Sequence, residues 1–138
     1  MSLRFNKQMD EKEAFQMNAL QLAYLGDSVW EVITRYDLIL QKLNVHHLHE
    51  MCVERVNARA QANILEKISV FLNSRESEIV KRGRNSHPRH TTPKNQKPDH
   101  YAASTGFEAL IGYLYLTGQD KRISEIIQII KEQENLYG

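Results

Sequence analysis

Proline is confined to one short segment of this 138-residue chain. Pro88, Pro93 and Pro98 all lie within residues 84–100, and a proline inside a helix costs about 3 kcal/mol. The sequence on either side has no such interruption and no sustained alternation of apolar and polar residues, so a sheet is not expected. We therefore expect an all-α fold in a single domain, residues 1–138, with one long loop.

Capping residues and apolar spacing predict five helical regions, and the proline segment separates the third from the fourth. A loop of that length in a helical domain is more often functional than not, which makes it the first candidate for a binding role. The predicted regions are about 18–41, with Asn18 as N-cap, 47–72, broken near Asn57, then 75–83, 101–117 and 120–135.

Positive charge is concentrated in and beside this loop. The net charge of the chain is only +1, but residues 81–97 hold six basic residues and no acidic one, while the rest holds twelve basic and seventeen acidic residues. Such a segment is a natural place to meet a polyanion such as nucleic acid. Two alternatives remain open: a solvated loop that is merely basic, and a helical scaffold whose loop binds an acidic protein.

Cysteine content and apolar runs indicate the compartment. Cys52 is the only cysteine and cannot pair within the chain, which fits a reducing environment. The N-terminal residues MSLRFNKQMDEKEAF lack the apolar core of a signal peptide. The most apolar run, residues 101–117, carries a glutamate and is short for a membrane span. We expect a cytoplasmic protein with no membrane partner.

Two carboxylates stand alone in otherwise uncharged helices. Asp27 is the only charged residue in 17–30, and Glu108 is the only one in 101–117. Apolar residues surround both on all helix faces, so we expect both carboxylates where a charge is costly. The residues alone leave two interpretations: each acid pairs with a basic side chain from another helix, or the two share a hard cation such as Mg²⁺.

The sequences around both acids resemble the two motifs of the ribonuclease III catalytic domain. Residues 22–29, LAYLGDSV, resemble E-F-L-G-D-S-V, and residues 104–116, STGFEALIGYLYL, resemble D-x-F-E-A-L-I-G-x-x-Y-L. The resemblance covers almost the whole chain and leaves no room for the double-stranded RNA-binding domain of ordinary ribonuclease III. With RGRN at 82–85 and TTPKN at 91–95, the chain is similar to the Mini-ribonuclease III branch.

This resemblance implies a ribonuclease III-type helical fold and a Mg²⁺-dependent endoribonuclease that cuts double-stranded RNA and leaves 5′-phosphates. Asp27 and Glu108 would be the catalytic residues and metal ligands. Ordinary ribonuclease III has two more acids, whose positions hold Ala23 and Thr105 here, so a reduced ligand set is expected. In bacteria the Mini form matures precursors of large-subunit ribosomal RNA, and a ribosomal protein is a candidate helper.

The resemblance also implies roles outside the motifs. Family members act as two-fold dimers, and we expect Tyr24 and Trp30 at the interface. The polar stretch with Asn57, Arg59 and Gln61 is expected to face the active site. RNA contacts are expected from the loop at about 82–98, through Arg82, Arg84, Asn85, Arg89, Thr91, Thr92, Lys94 and Lys97.

The main competing hypothesis is a non-catalytic protein that binds structured RNA and kept this fold, since two of the four acids are absent. An inactive relative would have little reason to keep both remaining charges inside apolar helices. The sequence therefore favours catalysis.

Overall fold

The computed structural model describes residues 7–86 and 93–137, with side chains as far as residue 134. Within these ranges all regular structure is helical, which confirms the expected all-α fold. None of the described helices is long and apolar enough to cross a membrane. The elements are α1 (Glu11–Phe15), α2 (Ala19–Ile39), α3 (Val45–Val56), α4 (Ala58–Ile68), a 3-10 turn (Ser69–Phe71), α5 (Ser74–Arg84), α6 (Pro98–Leu116) and α7 (Asp120–Tyr137).

Asparagine side chains fix the start of α2 and the break between α3 and α4. The Asn18 side-chain oxygen accepts a hydrogen bond of 2.8 Å from the backbone N–H of Leu20. Asn57 ends α3, and its side-chain oxygen accepts a 2.8 Å bond from the backbone N–H of Ala60 at the start of α4. The first backbone N–H groups of a helix have no acceptor within that helix, and a capping side chain supplies one. Both predicted boundaries are confirmed.

The sequence prediction was less accurate at the other ends. α6 begins at Pro98 rather than near residue 101, because proline has a suitable φ for the first turn and its missing N–H needs no partner there. The loop is therefore shorter than the predicted 84–100. The short helix α1 was not predicted, although Asp10 caps it by accepting a 3.2 Å hydrogen bond from the backbone N–H of Lys12.

α6 is the central helix of the fold. It packs against α2, α4, α5 and α7, and its middle, from Ala103 to Leu114, is buried except at Glu108. A helix that is apolar on all sides is stable when it is covered on all sides. On the side of α2, the rings of Trp30 and Phe107 meet edge to face with centroids 4.9 Å apart. The two predicted motifs are thus brought together in the core.

A buried ion pair joins the start of α7 to the start of α5. Glu76 is 2% exposed and accepts hydrogen bonds of 2.8 and 2.9 Å from Nε and Nη2 of Arg122. It also accepts a 3.0 Å bond from the backbone N–H of Asn73, while Arg122 donates a 2.9 Å bond to the carbonyl of Phe71. The carboxylate is fully partnered, as a buried charge must be.

Two glycines allow α2 and α6 to touch backbone to backbone. A Cβ atom on Gly26 would lie 1.7 Å from the carbonyl oxygen of Glu108, and one on Gly112 would lie 1.9 Å from the carbonyl oxygen of Leu22. These obstacles are backbone atoms, so no side-chain rotation can relieve the clash. The contact at Gly26 brings the next residue, Asp27, beside Glu108.

We expect Gly26→Ala to lower the free energy of unfolding by about 3 kcal/mol or more, because the two helices must separate to admit one methyl group. Urea denaturation measures the loss. Ser28→Ala, at an exposed position two residues along the same helix, is the control and should change stability by less than about 0.5 kcal/mol. An unchanged transition for Gly26→Ala would show that the helices are not in contact here.

Candidate active site

Asp27 and Glu108 meet where α2 crosses α6. Glu108 is half-buried, and its carboxyl group lies close enough to that of Asp27 for a hydrogen bond when one of the two carries a proton. The pKa of Glu108 is raised to about 8, first because burial removes water from the charged form and then because of the hydrogen bond to Asp27 and its negative charge. Glu108 therefore holds the proton in the metal-free protein.

Asp27 is exposed, contrary to the expectation that both acids are enclosed. α2 buries the face that carries Leu22, Gly26 and Trp30, and Asp27 lies on the outer face with Tyr24, which is 85% exposed. The apolar residues around Asp27 in the sequence suggested that it is buried, but two of them, Leu20 and Tyr24, are themselves exposed to solvent. The pair therefore has an inner acid and an outer acid.

The ion-pair interpretation finds no support in the described part of the chain, where neither acid forms a salt bridge. The two acids contact each other instead, and a cation relieves the repulsion between carboxylates that are both ionised. The salt bridges between described residues are Arg35–Glu31, His46–Glu50, Arg55–Asp37, Lys131–Asp37, Arg122–Glu76 and Arg122–Glu125.

Gln61, near the start of α4, is the third polar side chain at this point. It is 1% exposed, and its Nε2 donates hydrogen bonds to the carbonyl of Val56 at 3.0 Å and to Oε2 of Glu108 at 3.3 Å. Its Oε1 is buried and has no hydrogen-bond partner among the described residues. This contact fits the expectation that the polar stretch at 57–61 faces the active site, and it also lowers the pKa of Glu108 somewhat.

The atoms at this point suit a hard cation. Two carboxylates and an unpartnered amide oxygen are oxygen donors, and Mg²⁺ binds through one or two carboxylates while keeping several waters. Among the described residues there is no group of three or more His, Cys, Asp and Glu side chains that could hold a metal ion. Ala23 and Thr105, at the positions of the two absent acids, are 6% and 4% exposed, and neither carries a carboxylate.

The two expected interface residues have different places. Tyr24 is 85% exposed and is available to a partner. Trp30 is 6% exposed and packs in the core against Phe107, so the prediction that it lies at a dimer interface is wrong. A large aromatic ring beside the motif fills the α2–α6 contact within one chain.

Among the expected RNA contacts, Arg82 is committed within the fold. Its guanidinium lies 4.4 Å from the centroid of the Phe15 ring and donates a hydrogen bond to the Phe15 carbonyl. We therefore correct its assignment from an RNA contact to a residue that fixes α1 against α5. The expected residues Arg84, Asn85, Lys94 and Lys97 are exposed, and the other three predicted RNA contacts, Arg89, Thr91 and Thr92, lie outside the described residues.

Lys97 belongs to a basic cavity that the motifs did not indicate. The cavity has a volume of about 730 Å³ and lies between the start of α4 and the segment before α6. Three of its lining residues, Arg59, Lys97 and His100, are basic or can become so, and none is acidic. Arg59 and Gln61 lie two positions apart near the start of α4, so they point to different sides of the helix: Arg59 lines the cavity and Gln61 contacts Glu108. The full lining is Asn57, Ala58, Arg59, Asn63, Asn95, Gln96, Lys97 and His100.

Without metal, stability should fall as pH rises from about 5 to about 8. In this window the unfolded chain has released the Glu108 proton, whose ordinary pKa is 4.5, while the folded chain keeps it up to about pH 8. The folded state then binds one more proton, which gives a slope of about −1.4 kcal/mol per pH unit. Urea denaturation in EDTA at several pH values measures it.

Glu108→Gln should remove this slope, because it removes the titrating group. Glu66→Gln, which changes an exposed glutamate on α4, should keep the slope of the wild type. If the wild type and Glu108→Gln have parallel profiles between pH 5 and 8, the pKa of Glu108 is not raised.

The sequence and the fold both have relatives. A sequence model described as "Ribonuclease III domain" matches residues 20–119. The chain is 47% identical over 110 residues to Mini-ribonuclease 3 of Symbiobacterium thermophilum, covering 79% of this chain and 84% of that protein. It is 38% identical over 133 residues to Mini-ribonuclease 3 of Clostridium tetani, covering 95% and 85%.

A crystal structure of a Fusobacterium nucleatum protein superposes on this fold with a TM-score of 0.78 and 32% sequence identity, over 86% of this chain and 95% of that one. The matched residues 20–119 include both acids, both glycines of the helix crossing and Gln61. The resemblance of the two motifs is therefore confirmed over most of the chain. The chain belongs to the ribonuclease III family and is an endoribonuclease of that type.

Proposed function

We propose that this protein is a Mg²⁺-dependent endoribonuclease that cleaves double-stranded RNA and leaves 5′-phosphate and 3′-hydroxyl ends. The observation that carries the proposal is the contact between Asp27 and Glu108 in a chain of the ribonuclease III family. Because relatives named Mini-ribonuclease 3 match most of the chain, we propose precursors of large-subunit ribosomal RNA, in the cytoplasm, as the substrate. Assistance from a ribosomal protein stays a prediction.

In this proposal Asp27 and Glu108 hold the cation. When bound, Mg²⁺ lowers the pKa of water and balances the charge of the scissile phosphate. Glu108 must release its proton to bind a cation, and the cation's charge replaces that proton as the partner of Asp27. Glu108 forms the inner wall of the site, and Asp27 leaves its outer side open to a large substrate. A non-catalytic RNA-binding role would not explain why two acids are kept in contact.

We propose that the RNA backbone binds at the basic cavity beside the acids. Arg59, Lys97 and His100 can meet phosphates, and asparagine side chains can reach hydroxyls in the shallow minor groove of A-form RNA. The exposed residues Arg84, Asn85 and Lys94 are proposed as further contacts. Arg59 and His100 of the cavity lie on α4 and α6, and residues on helices hold their positions more firmly than residues on a loop, so the cavity is the better candidate for setting the register of the duplex.

We also propose a two-fold homodimer that uses the outer face of α2. Tyr24, Val32 and Tyr36 on this helix are 85%, 57% and 65% exposed. Exposed apolar side chains grouped on one helix are typical of a protein interaction site. Ribonuclease III family members are typically dimeric, and two copies would allow each site to cut one strand of a duplex.

Asp27→Asn and Glu108→Gln should each lower the cleavage rate of duplex RNA by about 100-fold or more, because each removes a metal ligand. Both variants should still bind the duplex, since the basic cavity is untouched. Cleavage assays with Mg²⁺ and gel-shift assays with EDTA measure the two properties. Glu66→Gln is the control and should cleave like the wild type. Near-normal cleavage by either site variant would show that the reaction occurs elsewhere.

Replacing Arg59 and Lys97 together with alanine should flatten the dependence of RNA affinity on salt. The slope of log K against log salt changes by roughly 0.9 for each phosphate contact in B-form DNA, and duplex RNA should be similar, so a change of about two is expected. Lys12→Ala with Lys121→Ala removes two exposed lysines and should leave the slope unchanged. Equal slopes for both double variants would place the RNA on another surface.

Sedimentation at micromolar concentration should show a species of about twice the chain mass of 16.1 kDa. Tyr24→Asp should shift this species toward the monomer, because a charge in an apolar interface is costly to desolvate. Glu13→Lys, which changes an exposed residue of α1, is the control for a change of charge. A wild type that sediments only as a monomer would rule out the dimer.

A further inference from the structure

We propose that Gln61 is a positioning residue of the metal site: its amide N–H groups fix the carboxylate of Glu108, and its amide oxygen accepts a hydrogen bond from a water of the bound cation. The inference rests on the proposed metal-dependent function and extends it to a residue outside both sequence motifs. Three features of the side chain carry it: its anchor, its contact with Glu108 and its unpartnered oxygen.

The anchor is the carbonyl of Val56. Val56 is the last residue of α3, and carbonyls in the last turn of a helix lack a partner within that helix. Nε2 of Gln61 donates a 3.0 Å hydrogen bond to this carbonyl. The side chain is 1% exposed, so packing also limits its movement. The amide is therefore held at the break between α3 and α4.

The second N–H of the Gln61 amide donates to a residue on a different helix. Nε2 also donates to Oε2 of Glu108 on α6, at 3.3 Å. An amide is planar and Nε2 carries two hydrogens, so two bonds from that atom in different directions fix the plane of the group. Gln61 thus connects Glu108 to a part of the backbone that belongs to neither α2 nor α6. The orientation of the carboxylate is set by this third element.

The oxygen of the same amide is buried and accepts no hydrogen bond from the described residues. Buried polar atoms nearly always have a partner, and an acceptor without one is costly. When Asp27 and Glu108 both bind a cation they have no hydrogen to donate, so we infer that the missing donor is a water held by that cation. Waters on Mg²⁺ are donors of this kind, and Mg²⁺ usually keeps several of them in a protein site.

A neutral oxygen is also suited to this site on electrostatic grounds. Neither Ala23 nor Thr105 supplies the charge of the two absent acids: Ala23 has no polar group, and Thr105, whose hydroxyl donates a 3.1 Å hydrogen bond to the carbonyl of Tyr101, is neutral. A third carboxylate would add repulsion where Asp27 and Glu108 already repel. An amide oxygen supplies an acceptor without adding charge.

Calorimetric titration with Mn²⁺, which prefers oxygen ligands and octahedral geometry as Mg²⁺ does, tests the inference without relying on cleavage. Gln61→Met has similar length but neither N–H nor oxygen, and it should bind Mn²⁺ about tenfold or more weakly than the wild type. In cleavage assays the Mg²⁺ concentration for half-maximal rate should rise, while the rate at saturating Mg²⁺ should recover most of its wild-type value.

Thr34→Val is the matched control, because it also makes a buried polar residue apolar, on a helix that carries the site. It should bind Mn²⁺ like the wild type whatever its stability. If Gln61→Met does not fold, Gln61→Asn, which keeps the amide but withdraws it by one methylene, carries the same expectation.

The outcomes separate this inference from the proposed function. A folded Gln61 variant that binds Mn²⁺ as tightly as the wild type overturns the inference and leaves the proposed function standing. A wild type that binds neither Mn²⁺ nor Mg²⁺ overturns the metal-dependent function and the inference with it.

Discussion

The contact between the backbones of α2 and α6 determines the rest of this structure. Gly26 and Gly112 each face a carbonyl oxygen of the other helix at a distance that leaves no room for a Cβ atom. Side chains in an interface can rotate and let helices shift, whereas touching backbones allow little adjustment. The register of the two helices is therefore fixed at Gly26, one residue from Asp27. The relative position of the two acids follows from it.

Glu76 is buried and Glu108 is half-buried, and the surroundings of the two carboxylates differ. Glu76 receives two hydrogen bonds from Arg122 and one from a backbone N–H, so its charge is balanced. Glu108 faces another acid and, from the part of the chain that the structure describes, accepts a hydrogen bond from the amide of Gln61. The first arrangement stabilises the fold; the second is unfavourable until a proton or a cation binds. Perturbed acids without a basic partner are typical of functional sites.

The sequence predicted where helices begin and end more accurately than it predicted which side chains are exposed to solvent. Asn18 and Asn57 cap helices through neighbouring backbone groups, so their roles could be read from nearby residues alone. The exposure of Asp27, the burial of Trp30 and the contact of Arg82 with Phe15 depend on which face of each helix meets a neighbour. A helix that is apolar on every side gives no periodic signal for that choice.

The candidate site was also predictable only in part from the sequence. Resemblance to the family motifs identified the two acids, because each motif is a continuous stretch of chain. The basic cavity combines Arg59 with Lys97 and His100, which are far apart in sequence, and only the packing of α4 against α6 brings them together. The bond between Gln61 and Glu108 likewise spans 47 positions in the chain.

The burial of Ala23 and Thr105 also limits how this protein can evolve. Both are less than a tenth exposed, so a carboxylate that arose at either position would enter the core beside two acids that already repel. A single mutation toward a four-acid site therefore costs folding stability, so the packing around Ala23 and Thr105 restricts which sets of acids this fold can carry.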